Sequence, residues 1–289
     1  MKNNIVESRE YKVMLNQERF IGKGSDLISK SKDFWEVFSK AIAHVTKKTK
    51  GNLDKVTERR WITFYDTNKD FLRSNDYVFR SRTDLVEKTR EVTLKFRHPD
   101  RFISQDRDMS AKKKDQGKSK FEEDMKALFK KPWISSLYSF STKQPVDNKK
   151  SFETLKDIRK LYPDISDRIS YYDDDVSVNV VNDFNAVELV IEGGSFKIGK
   201  NDDEKIECAL VLWYEGTDNI KDNIKILEKA DRPLVAEFSF KYKNGKGEYD
   251  GKLAKDAFEI FDTLQNGKSL SDWMNPESLT KTSYVYSQG

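Results

Sequence analysis

Successive side chains of a β-strand point to opposite faces, and several stretches of this chain divide cleanly into an apolar and a polar set. In residues 7–15, Tyr11, Val13 and Leu15 share one face, while Ser8, Glu10 and Lys12 share the other. The division recurs at 90–97, where Val92, Leu94 and Phe96 oppose Glu91, Thr93, Lys95 and Arg97. At 120–125, Lys120, Glu122 and Asp124 oppose Phe121 and Met125, and at 234–242 Glu237, Ser239 and Lys241 oppose Phe238, Phe240 and Tyr242. The same alternation predicts strands at 59–65, 77–82, 176–181, 186–191, 195–198 and 205–214, with Gly193-Gly194 as a hairpin turn. Helical spacing of apolar residues predicts helices over 33–47, 152–162, 220–230 and 253–264.

Ordinary antiparallel sheets also alternate, with one face on a core and one in water. Two features point elsewhere. The polar sets mix acids and bases, and the amphipathic helices need an apolar surface to cover. A sheet curled with its charged face inward and helices on its apolar outside satisfies both. The expected fold is therefore α+β: a closed or strongly curved antiparallel β-barrel with a polar interior and helices packed on the outside.

Composition narrows the chemistry. Charged residues reach 35% of the chain against 36% hydrophobic, yet 53 Lys+Arg nearly balance 49 Asp+Glu, so the net charge of +4 gives no broad basic footprint. A nucleic-acid module is disfavoured on that ground. Cys208 is the only cysteine, which excludes an intrachain disulfide, and with only His44 and His98 a histidine-rich zinc centre or a serine-type triad is disfavoured. The start carries no apolar signal core and no stretch is long enough to span a bilayer, so a cytoplasmic address is expected. Residues 1–275 read as a single domain. Residues 98–119, polar and containing Lys112-Lys113-Lys114, read as a mobile loop, either a solvated insertion or a lid. Residues 276–289 form a tail without an evident role.

The run Tyr65-Asp66-Thr67, a Leu72-Arg73 step, the strand Arg80-Ser81-Arg82 and the strand Thr93-Leu94-Lys95 together resemble the CYTH, or triphosphate tunnel, superfamily in order and approximate spacing. Lys120-Phe121-Glu122-Glu123-Asp124 is similar to the next family strand. The resemblance implies a triphosphate- or polyphosphate-bearing small molecule bound in a closed β tunnel with Mg²⁺ or Mn²⁺. Carried over by position, Lys12, Arg80, Arg82, Lys95 and Lys120 are the expected phosphate contacts, and Glu10, Glu122, Asp124 and Glu207 the expected metal ligands; Lys241 and Glu237, from the polar face of the 234–242 strand, join the two sets. One departure matters. The family opens with glutamate-x-glutamate-x-lysine, whereas here Ser8 stands at the first carboxylate, and Glu7 would face the other way. A metal-dependent hydrolase is the first expectation; a non-catalytic polyphosphate- or nucleotide-binding module and an adenylyl cyclase are the alternatives.

Overall fold

The alternating stretches form long strands in a computed structural model, which describes every residue except 1–4, 47, 108, 129–133, 201–203, 218–222, 230–231, 244–249, 278–279 and 289. The strands are β1 (Ser8–Met14), β2 (Lys48–Lys50), β3 (Lys55–Asp66), β4 (Tyr77–Asp84), β5 (Arg90–His98), β6 (Lys118–Ala127), β7 (Ile134–Val146), β8 (Asn179–Glu192), β9 (Ser195–Ile198), β10 (Glu204–Glu215) and β11 (Val235–Lys243). Among the described residues nine strands close into a barrel in the order β11, β1, β6, β7, β5, β4, β3, β8, β10, with β10 pairing back onto β11. β9 and β2 extend the sheet sideways from β10.

The closed α+β barrel agrees with expectation, but it is mixed rather than purely antiparallel, because β1 and β6 run parallel. A parallel pair needs a long crossover, and the hundred-odd residues between β1 and β6 supply it. β7 was absent from the expected strands. Its inward positions are mostly serine (Ser135, Leu137, Ser139, Ser141), so the polar-apolar contrast that reveals a strand is weak there.

Gly193-Gly194 is not a hairpin. β8 and β9 both pair antiparallel with β10, one after the other along the same edge, so the chain continues forward through the glycines. A Cβ on Gly194 would come within 2.9 Å of the Trp35 ring, and Gly193 has φ 117°, so the pair lets a helix seat closely on the sheet. The expected strands 176–181 and 186–191 join into one strand, β8, with Asn182 and Asp183 at positive φ forming an irregularity within it.

The first helix spans Ser25–Ala41, earlier than 33–47, because Leu27 and Ser31 extend the buried stripe of Phe34, Trp35 and Phe38 toward the N-terminus. The 253–264 helix runs Gly251–Asn266 and starts at Asp250, whose side chain accepts from Lys252 N. The 152–162 stretch holds a shorter helix, Leu155–Arg159, begun by a Thr154/Asp157 capping box. In the 220–230 stretch the described helix is Ile226–Lys229, and residues 220–222 and 230 lie outside the described residues.

Three apolar clusters hold these elements. The largest lies outside the barrel, where Tyr11, Phe238 and Phe240 meet Phe34 and Phe38 of the first helix and Phe261 of the Gly251–Asn266 helix. Ring centroids there are 4.9 Å apart for Phe38–Phe238 and 5.0 Å for Phe34–Phe238 and for Tyr11–Phe261. Each such ring contributes roughly 2 to 3 kcal/mol on burial, so this side of the barrel is firmly clad. The second cluster covers the outer face of β4, β5 and β7 with residues 152–169, where the Tyr162 hydroxyl donates to the carbonyls of Val92 and Thr142 at 3.1 and 3.0 Å.

The third cluster departs from a wholly polar interior. Inward-facing Ile62, Phe64, Phe184, Trp213 and Val235 make one end apolar, and Val285 of the C-terminal helix Lys281–Tyr286 is fully buried against them. The C-terminal helix, in the stretch read as a tail, therefore docks. In the 98–119 segment the helix Arg101–Gln105 is capped by Asp100, and Met109 and Ala111 are buried.

Candidate functional site

The inward side chains surround a cavity of about 390 Å³. Both signs of charge line it, with bases densest on one wall and carboxylates on the other, where Lys12, Lys126 and Lys241 also stand. Arg60 on β3, Arg80 and Arg82 on β4, and Lys95 and Arg97 on β5 make three adjacent strands basic. Glu10 on β1, Glu122 and Asp124 on β6, and Glu237 on β11 place carboxylates on the three strands across the lumen. Strand register sets the levels: Glu10 stands beside both Asp124 and Lys241.

Asp124 is the hub of the acid wall. Its carboxylate lies 2.9 Å from Lys12, 3.1 Å from Lys95 and 3.1 Å from Arg97. Burial alone would raise its pKa, but Lys12, Lys95 and Arg97 hold it well below the usual carboxylate range. Glu10 is likewise penalised by burial, yet Lys12 at 3.0 Å holds it down to about 2. The two lysines that share Asp124 move in opposite directions. Burial would lower both, but Lys12 also has Glu10 and is raised, whereas Lys95 faces Arg97 and Lys12 and falls to about 8.

Glu188 is the second hub and is fully buried. Arg60 lies at 2.5 Å, Arg82 at 3.2 Å, and Trp213 Nε1 donates to it at 2.9 Å. Against the effect of burial, Arg82 and Arg60 hold its pKa well below the usual range. Glu188 escaped the sequence reading because its strand neighbours Val187, Leu189, Val190 and Ile191 read as core. A single acid within such a run was the available signal.

Arg80 differs from every other base on its wall. Among the described residues it makes no ion pair or hydrogen bond, although its neighbours Arg60 and Arg82 both reach Glu188. Burial, then repulsion from Arg82, lowers its guanidinium to about 9.

Of the expected site residues, Lys12, Arg80, Arg82, Lys95, Lys241, Glu10, Glu122, Asp124 and Glu237 all line the cavity. Lys241 is exposed and stands at the rim. Lys120 is 38% exposed and reaches the site only through its ion pair with Glu122. Glu207 does not join the site. Its register with Lys241 gives it the inward parity, but it stands beyond the rim, 77% exposed, and pairs with Lys205 at 3.0 Å. Ser8 is buried and donates to Glu122 Oε1 at 2.6 Å, while Glu7 turns away and accepts from Phe121 N at 3.2 Å. Arg60, Arg97 and Lys281 are lining residues that the expected site set lacks.

Among the described residues no three acidic, histidine or cysteine side chains cluster closely enough to cage a metal ion. Magnesium does not require such a cage, since it is commonly held by one or two carboxylates with substrate phosphates completing its shell. Glu10 and Asp124, side by side in register, are the pair nearest to that lesser requirement, with Lys12 lying 3.0 and 2.9 Å from them.

The chain forms a closed nine-strand barrel with a charged lumen, the fold class expected from the sequence. No protein-family model matches the chain, and no curated protein matches it. Three solved structures resemble it throughout. One, from Hippeastrum, is described as a candidate adenylyl cyclase that reveals a dominant triphosphatase activity; it is 12% identical, with a TM-score of 0.45 over 98% of this chain and 96% of its own. A candidate adenylate cyclase from Bacillus halodurans is 13% identical, with a TM-score of 0.36 over 92% and 94%. Another, from Vibrio parahaemolyticus, is 8% identical, with a TM-score of 0.33 over 98% and 99%. At these scores the overlays say nothing about activity. No helix among the described residues is long and apolar enough to cross a membrane.

Proposed function

We propose that this chain binds a triphosphate- or polyphosphate-bearing small molecule inside its barrel and hydrolyses it with the help of Mg²⁺ or Mn²⁺. The observation that carries this reading is Arg80, a half-buried guanidinium facing the cavity with no ion pair or hydrogen bond among the described residues. A partly desolvated cation without an ion pair is costly, so its presence makes sense if an anion completes it. A chain of phosphates fits better than a single carboxylate, because the basic wall offers several cations at successive levels.

In this reading Arg80 and Arg82 clamp the phosphates on one wall, with Lys95 and Lys12 at the junction with the acid wall. Magnesium or manganese held by Glu10 and Asp124 would neutralise phosphate oxygens. Glu122, steadied by Ser8, would orient the attacking water. Purified protein given tripolyphosphate or ATP with either metal is expected to release phosphate, and Glu122→Gln or Arg80→Ala to suppress the release. No release from any tri- or polyphosphate with either metal would refute hydrolysis, and cyclic AMP formed from ATP would redirect the reading to a cyclase.

A non-catalytic binder is the second reading, and a specific observation favours it. Ser8 replaces an acid and occupies an oxygen of Glu122, while Lys12 bridges Glu10 and Asp124. Such a binder is stabilised thermally by tripolyphosphate in the absence of metal and shows no turnover.

A further inference from the structure

The C-terminal helix brings a cation into the lumen that belongs to no barrel strand. Lys281 Nζ lies 2.8 Å from Glu237 Oε1 and 4.0 Å from Glu188 Oε2, and 5.7 Å from the centroid of the Trp213 ring. Both carboxylates are buried, and they face the lysine from β11 and β8, the strands on either side of β10.

The lysine is held there by the rest of its helix. Val285 is fully buried, and its carbonyl accepts from Asn182 Nδ2 at 3.0 Å. The Tyr286 hydroxyl donates to Asp66 Oδ2 at 2.9 Å, and the Arg73 guanidinium stacks 4.3 Å over the Tyr286 ring. Asp66 is itself fixed by the backbone amides of Thr67, Leu72 and Arg73. A lysine on a free tail would leave its partners easily; this one leaves only if the helix undocks.

We propose that Lys281 is a built-in cation that fills the position at Glu188 and Glu237, so that this end of the tunnel takes no divalent metal ion. Glu237 was an expected metal ligand, but its carboxylate already has a cation at contact distance. A divalent ion brought to it would meet the ammonium, and beyond it Arg60 and Arg82 around Glu188. That repulsion outweighs what one more carboxylate contact returns. Substrate phosphates at this level would meet a tethered ammonium where a second free ion would otherwise stand, a consequence that rests on the function proposed above.

Terbium(III), a hard oxygen-seeking ion that luminesces when a neighbouring indole is excited, tests the position directly, because Trp213 touches Glu188. Titration of the full chain without phosphate is expected to give little indole-sensitised emission in the unaltered protein. Lys281→Met should give strong emission, with half-saturation at least about tenfold lower. The emission should vanish in Lys281→Met/Glu237→Gln, and Lys281→Arg, which keeps the charge, should behave like the unaltered chain. Strong emission from the unaltered protein that Glu237→Gln abolishes overturns the proposal. So does a folded Lys281→Met chain without new emission. Should Lys281→Met not fold, Lys281→Gln replaces it with the same expected result, and the unaltered and Glu237→Gln chains alone suffice to refute. Tripolyphosphate-induced thermal stabilisation, measured in parallel, reports on the proposed function separately: its absence removes that reading and leaves the terbium result standing.

Discussion

Replacing Arg80 should make the ligand-free protein more stable and abolish its response to phosphate. The guanidinium is lowered to about 9, chiefly by burial and then by Arg82. Keeping it charged in this setting costs the folded state at most about 5 kcal/mol. Water in the cavity, which the side chain reaches, screens part of that cost. Arg80→Met preserves much of the bulk, removes the charge and leaves an apolar group in a polar lumen. A net gain of roughly 1 to 3 kcal/mol, seen as a melting temperature higher by a few degrees, is therefore expected. The assay is a thermal melt of both chains with and without tripolyphosphate. The unaltered protein should be stabilised by the ligand and the variant should not, the pattern of a residue kept for function at the expense of stability. A variant less stable than the parent, with its phosphate response intact, would show that Arg80 is a structural cation and refute the reasoning.

Two further outcomes follow from the charge hubs. Lys95 titrates near about 8 in the folded chain against its ordinary 10.5, so between those pH values the folded state binds fewer protons than the unfolded one and ligand-free stability should rise with pH. Tripolyphosphate needs the charged lysine, so its affinity should weaken as pH rises through about 8, with proton uptake visible by calorimetry in buffers of different ionisation enthalpy. Asp124→Asn strands Lys95 and Arg97 and leaves Lys12 with Glu10 alone, and should cost about 3 to 5 kcal/mol in urea unfolding. Added tripolyphosphate without metal should restore part of that loss; a variant as stable as its parent would show that the three ion pairs contribute little.

Much of this protein was written in local pattern. The two-residue alternation at β1, β5, β6 and β11 assigned Glu10, Lys12, Lys95, Glu122, Asp124 and Glu237 to the inner face, because side-chain parity along a strand needs no knowledge of the neighbours. It also marked the outer face that the helices clad. Parity says nothing about height along the barrel, however, and Glu207 has the inward parity yet stands beyond the rim. Strand order was equally out of reach: the parallel pairing of β1 with β6, which sets Glu10 beside Asp124, joins segments more than a hundred residues apart. The serine-rich β7 lacked the contrast that parity reads, and Gly193-Gly194 looked like a reversal because a turn and a close helix–sheet approach both favour glycine.

What only the tertiary structure decided is which charges are compensated. By sequence Arg80 and Arg82 were an equivalent pair. Folding gives Arg82 the buried Glu188 from β8 and leaves Arg80 without an ion pair among the described residues, because ion pairing depends on distances of a few ångströms between strands that the chain alone does not specify. Lys281 makes the same point from the far end of the chain. It stood in a tail without an evident role, and only the docking of Val285 and Tyr286 brings its ammonium against Glu237.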